Sequence, residues 1–179
     1  DDRDDWTVFD RLEQPREYPQ LWLVPAGEPA GRVARRLSSP PCHAYHADWS
    51  PDGATLAVTY NPRFSSLVDE EQRVALVDVA AGTWRDLSDP ERHASFAAFA
   101  PDGRRVAYWR DREAELRAYL NVKDLVLHDL ATDEVTTLTP GHQMALGGIV
   151  GVPDEAAVWL PDGKALVVSG ARGTTLDLY

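Results

Sequence analysis

Ala47-Asp48-Trp49-Ser50-Pro51-Asp52-Gly53 runs directly into Ala54-Thr55-Leu56-Ala57-Val58-Thr59-Tyr60. Two further segments align with it without gaps. One is Ala97-Ala98-Phe99-Ala100-Pro101-Asp102-Gly103 with Arg104-Arg105-Val106-Ala107-Tyr108-Trp109-Arg110; the other is Ala157-Val158-Trp159-Leu160-Pro161-Asp162-Gly163 with Lys164-Ala165-Leu166-Val167-Val168-Ser169-Gly170. In each, a small residue and an aromatic share a short strand. Pro then presets φ, Asp reaches the backbone ahead, and Gly takes a positive φ. An apolar strand follows. The alanine four residues before each proline keeps the first strand thin, as a strand crowded near an axis requires.

The rest of the unit repeats too. Val74-Ala75-Leu76-Val77-Asp78-Val79 turns at Ala81-Gly82 into Trp84-Arg85-Asp86-Leu87-Ser88, and Leu125-Val126-Leu127-His128-Asp129-Leu130 turns at Thr132-Asp133 into Val135-Thr136-Thr137-Leu138-Thr139. Leu21-Trp22-Leu23-Val24 and Val33-Ala34-Arg35-Arg36-Leu37-Ser38 form the same pair. Four short antiparallel strands, a to d, in roughly 50 residues make one propeller blade. The matched turns weigh against a β-sandwich, and four strands per unit weigh against a β-helix.

The fold class is therefore all-β, an incomplete β-propeller of four-stranded antiparallel blades. Its expected division is the end of a blade over 1–39, blades over 40–89 and 90–139, and the start of a blade over 140–179. Blades bury their faces only against neighbours. The chain is thus expected to be a piece of a longer polypeptide. It opens Asp1-Asp2-Arg3-Asp4-Asp5 without Met, so a native start upstream is expected too.

Among 179 residues the formal net charge is −11, which argues against nucleic acid, whose phosphates need clustered Lys and Arg. No apolar run approaches the roughly 18 residues of a membrane span, so no membrane partner is expected. Cys42 is the single cysteine, so no internal disulfide can form, and the cytoplasm is the expected compartment. The aromatics Trp49, Phe99 and Trp159 are expected in the core.

Length variation collects on one face. The b–c connections over 61–72 and 111–121 are long, and the d–a connection over 140–155 is about nine residues longer than its counterparts. Asp69-Glu70-Glu71 lies in the first of these; it could hold a substrate ammonium or be a solvated acidic loop. Arg63, Arg110 and Arg112 border the same face and could bind carboxylates. His43, His46, His93 and His142 are placed in d–a loops, in a spacing that matches no zinc pattern. No Gly-x-Ser-x-Gly elbow, phosphate loop or dinucleotide fingerprint occurs. No catalytic residue, cofactor or metal is expected in this segment.

Trp49-Ser50-Pro51-Asp52-Gly53 with its apolar strand resembles the repeats of TolB-like propellers. It is similar also to the propeller of the prolyl oligopeptidase (S9) family of serine peptidases, including acylaminoacyl and dipeptidyl peptidases. The Trp-Asp ending and Gly-His opening of WD repeats are absent from the matched positions. The peptidase resemblance implies a non-catalytic segment that gates access of short peptides. The triad would lie in an α/β-hydrolase domain beyond residue 179, and the long-loop face would meet that domain. It further implies that Glu70 and Glu71 recognise a peptide amino terminus, as paired glutamates do in the dipeptidyl branch, although the surrounding residues depart from that branch's motif. The alternative is a TolB-like, non-enzymatic propeller that binds proteins and is periplasmic or secreted.

Overall fold

A computed structural model describes residues 20–26, 33–38, 42–62, 71–112, 122–141, 145–146, 155–172 and 175–178. The strands among them are β1 (Trp22–Leu23), β2 (Arg35–Arg36), β3 (His43–Trp49), β4 (Thr55–Asn61), β5 (Arg73–Asp78), β6 (Trp84–Asp86), β7 (Ala94–Phe99) and β8 (Arg105–Asp111). They continue with β9 (Lys123–Asp129), β10 (Val135–Thr137), β11 (Ala145–Leu146), β12 (Val158–Trp159), β13 (Leu166–Val167), β14 (Ser169–Arg172) and β15 (Thr175–Leu178). Two four-stranded antiparallel meanders, β3-β4-β5-β6 and β7-β8-β9-β10, form the centre. The pair β1-β2 packs on the first, and β12-β13 packs on the second. The architecture is that of propeller blades in series.

The repeated turn folds as its chemistry dictates. Gly53, Gly103 and Gly163 stand at φ of 70°, 68° and 68°, the left-handed region open to glycine. In the first turn Ser50 N donates to Thr55 O at 2.8 Å, Gly53 N to Ser50 O at 2.8 Å, and Ala54 N to Asp52 Oδ1 at 3.0 Å. The Ser50 hydroxyl, donating to Asp52 Oδ1 at 2.6 Å, and then the Ala54 N–H hold the Asp52 carboxyl below its usual range; the hydroxyl is particular to this turn. The backbone N–H contacts recur around Asp102 and Asp162. Each turn also stacks on the one before: a Cβ on Gly103 would lie 3.5 Å from Pro51 Cδ, and one on Gly163 would lie 3.6 Å from Pro101 Cδ.

Alternation along a strand sends successive side chains to opposite seams. Tyr108 and Trp109 are each 1% exposed, yet they enter different cores. Tyr108 joins Val74, Leu76, Leu87, Phe99 and Val126 between the two full sheets. Trp109 joins Ala107, Leu125, Ala157 and Val168 on the other side. Burial on both faces explains the near-continuous apolar run of β8. A third cluster, with Leu37, Val58, Tyr60 and Val77, joins β1-β2 to the first sheet.

Indole N–H groups fasten the seams, as buried tryptophans require. Trp84 Nε1 donates to Leu37 O at 2.8 Å, Trp109 Nε1 to Glu155 O at 2.9 Å, and Trp159 Nε1 to Ala98 O at 3.2 Å. Arg105 adds a cation–π contact, 5.2 Å from the Trp159 ring centre. One expectation fails here. Phe99 is buried, but Trp49 is 47% exposed. The counterparts of its face on β7 are covered by the preceding sheet, and no described strand lies over that part of β3.

Candidate functional face

The b–c connections leave the same end of both sheets. Residues 63–70 and 113–121 lie outside the described residues, and with them Arg63, Asp69 and Glu70, but both necks are defined. At the second neck, Arg112 N donates to Val122 O at 3.0 Å. The Arg112 guanidinium forks onto Asp124, Nη2 to Oδ1 at 2.7 Å and Nε to Oδ2 at 3.2 Å. Arg92 Nη1 donates to Arg112 O at 2.9 Å. At the first neck, Arg73 lies 3.5 Å from Glu71 Oε2 and 3.6 Å from Asp86 Oδ2, and the Tyr60 hydroxyl donates to Asp86 Oδ1. Burial first, then Asp86, pushes the Tyr60 phenol far above its ordinary range.

The two necks occupy matching places with exchanged chemistry. Tyr60 pairs Arg73 across the first sheet, and Arg110 pairs Asp124 across the second. Likewise Ala75 pairs Asp86, and Val126 pairs Thr137. Where the first blade has Tyr60, Arg73 and Asp86, the second therefore has Arg110, Asp124 and Thr137. Arg110 Nη2 donates to Thr137 Oγ1 at 3.3 Å, and Arg110 Nε is buried with no acceptor. Glu71 is half-buried against Arg73. An ammonium ligand at Glu71 would share its carboxylate with that guanidinium.

The histidines do not gather. His43 and His46 lie in β3, not in a loop. His43 stacks on Tyr45 at 4.1 Å between ring centres. His46 tilts against Phe96 of the next blade at 5.6 Å, and its Nδ1 is buried without a partner. Burial lowers the His46 pKa, and Asp48 opposes this. His93 Nδ1 lies 4.0 Å from Asp111 Oδ2. His142 is outside the described residues. Among those residues no group of three or more His, Cys, Asp or Glu could hold a metal ion. The fifth histidine, His128, reads in the sequence as part of an apolar strand and carries no site signal there. It is buried, with Nε2 2.8 Å from Asp133 Oδ1.

The first strand of each blade bulges at one place. In β3 the register shifts between Ala44 and His46, and in β7 between Ser95 and Ala98. Phe96 sits in the latter at φ 53°, its N–H held by Thr59 Oγ1 at 2.8 Å across the seam. In the blade that follows these two, the strand is split near the equivalent point. Leu146 pairs Gly170 and Val158 pairs Val167, twelve residues along one strand against three on its partner. The additional residues of 140–155 thus fall inside strand a, at its bulge, and not ahead of it. Bulges re-aim side chains and often flank functional sites.

No protein-family model and no curated protein sequence matches the chain. Solved structures do. A TolB from Agrobacterium tumefaciens superposes with a TM-score of 0.57 at 14% identity, over 84% of this chain and 50% of that one. Puromycin hydrolase gives 0.60 at 20% identity, over 85% of this chain and 24% of that one. The acylaminoacyl peptidase of Pyrococcus horikoshii gives 0.52 at 14% identity, over 73% and 18%. At such identities the likeness is one of fold: a propeller-type β domain resembling those of TolB and S9 peptidases. The chain spans half the length of that TolB and about a quarter of puromycin hydrolase.

Proposed function

We propose that these blades belong to a propeller that covers and gates the active site of an S9-type serine peptidase acting on short peptides. The supporting observation is the concentration of chain on one face. The described necks of both b–c connections lie at the same end of the sheets, and the strand-a insertion interrupts its strand near that end. A rigid scaffold with elaborated loops at one end suits a screened substrate chamber. The partners of this reading are an α/β-hydrolase domain of the same protein, or the remaining blades, and a peptide substrate. The compartment is the cytoplasm. Glu70 and Glu71 are the proposed contacts for a substrate amino terminus.

The test is to express the complete gene product and treat it with a fluorophosphonate probe. Labelling of one serine outside residues 1–179, with hydrolysis of short peptide anilides, is the expected result. An unlabelled, inactive product would overturn the proposal. It would favour a non-enzymatic, exported, protein-binding propeller, the reading supported by the likeness to TolB.

A further inference from the structure

Arg110 is the penultimate residue of strand β8, at the seam between the two full sheets, on the loop-bearing side. Asp124 stands directly across the register, but its carboxylate is engaged by the Arg112 fork at 2.7 and 3.2 Å. The position that supplies a carboxylate in the preceding blade, Asp86, is Thr137 here. Arg110 therefore makes one 3.3 Å contact to a neutral hydroxyl. Among the described residues it has no ion-pair partner. Arg63 lies outside those residues and Arg112 is committed to Asp124, which leaves Arg110 as the member of the arginine trio with spare capacity.

A guanidinium offers five donors in a planar fork, and a half-buried one is costly when most of them stay unpaired. A planar anion that accepts two parallel hydrogen bonds gives Nη1 and Nη2 the charged partner that Thr137 does not provide. We propose that Arg110 is the recognition residue of a carboxylate-binding site at this end of the seam. Its ligand is a small monocarboxylate, such as the C-terminal carboxylate of a short peptide, docking on Nη1 and Nη2. A phosphate dianion is disfavoured. The chain's net charge of −11 favours a monoanion over a dianion. The site does not depend on the catalytic reading, because a protein-binding propeller could use it equally.

The experiment is an NMR titration of the complete gene product that follows the Arg110 side-chain Nε–H resonance. The probe is N-acetyl-alanyl-alanine, with its C-terminal amide and inorganic phosphate as separate arms. A saturable shift with the free carboxylate, and about tenfold weaker binding of the amide, is the expected result. Arg110→Gln should abolish the binding, as judged from neighbouring backbone amides. Thr137→Asp restores the carboxylate found in the preceding blade and should occlude the site with the fold intact. Equal response to the amide, tighter binding of phosphate, no saturable shift, or unchanged binding in Thr137→Asp would each overturn the proposal.

Discussion

Asp133 holds its carboxylate 2.8 Å from Nε2 of the buried His128, from a backbone position at φ 60° whose counterpart in the preceding blade is Gly82 at φ 69°. A non-glycine residue there costs about 1 kcal/mol, so the side chain must offset that strain. Arg85 of the neighbouring blade lies 3.9 Å from the same oxygen.

Asp133→Gly sets the two effects against each other. Relief of strain favours the variant by about 1 kcal/mol, while loss of the acceptor leaves a buried imidazole unpaired at a cost of about 1–3 kcal/mol. Net destabilisation in urea unfolding is the expected result. A more stable variant would show that the pair contributes less than the turn loses.

Thr59 should matter through one hydrogen bond. Thr59→Val keeps the shape but strands the Phe96 N–H, and should cost about 1–3 kcal/mol. Thr59→Ser keeps the hydroxyl and removes one buried methyl, about 1 kcal/mol. The order of the two unfolding midpoints checks the assignment. Equal midpoints would remove the hydroxyl from the account.

Acid should weaken the seam at His46. Burial depresses its pKa below the ordinary 6.5, so the unfolded chain takes up the proton first. The native state then loses stability as pH falls below about 6.5 and stops losing it below the folded pKa. His46→Gln should flatten the slope of unfolding free energy between about pH 5 and pH 7. An unchanged slope would place the titration elsewhere.

At the second neck, Arg112→Met leaves the nearly buried Asp124 carboxylate without its fork. A fully buried pair broken this way costs about 3–5 kcal/mol. About 2 kcal/mol is expected here, because 32% of the Arg112 side chain is exposed. Asp124→Asn should cost less, since the charge left over is the partly exposed Arg112 and the amide oxygen can still accept from it. Thermal unfolding of both variants gives the comparison.

The turns were the legible part of this fold. Pro51-Asp52-Gly53 and its copies carry their geometry in their own side chains, and strand order follows from their spacing. The exposure of Trp49 is not legible, because an aromatic is buried only if a neighbouring strand arrives, which no local pattern reports. A bulge disguises the alternation of β3, so the pattern does not mark His43 and His46 as strand residues. The acidic run was visible, but the pairing of Glu71 with Arg73 was not. Arg110 could be listed as a cation of the working face; that it lacks a carboxylate emerges only when Thr137 is aligned in space with Asp86.

The split first strand of the last blade has an engineering consequence. Its two pieces keep their ladder on β13 and β14 although nine extra residues separate them. Pairing on either side of such a gap is thus independent of what fills it. The bulges at Tyr45 and Phe96 lie within one register step of each other in the other blades. They are natural splice points, where a foreign peptide could be grafted and displayed beside the long loops without re-registering the sheet.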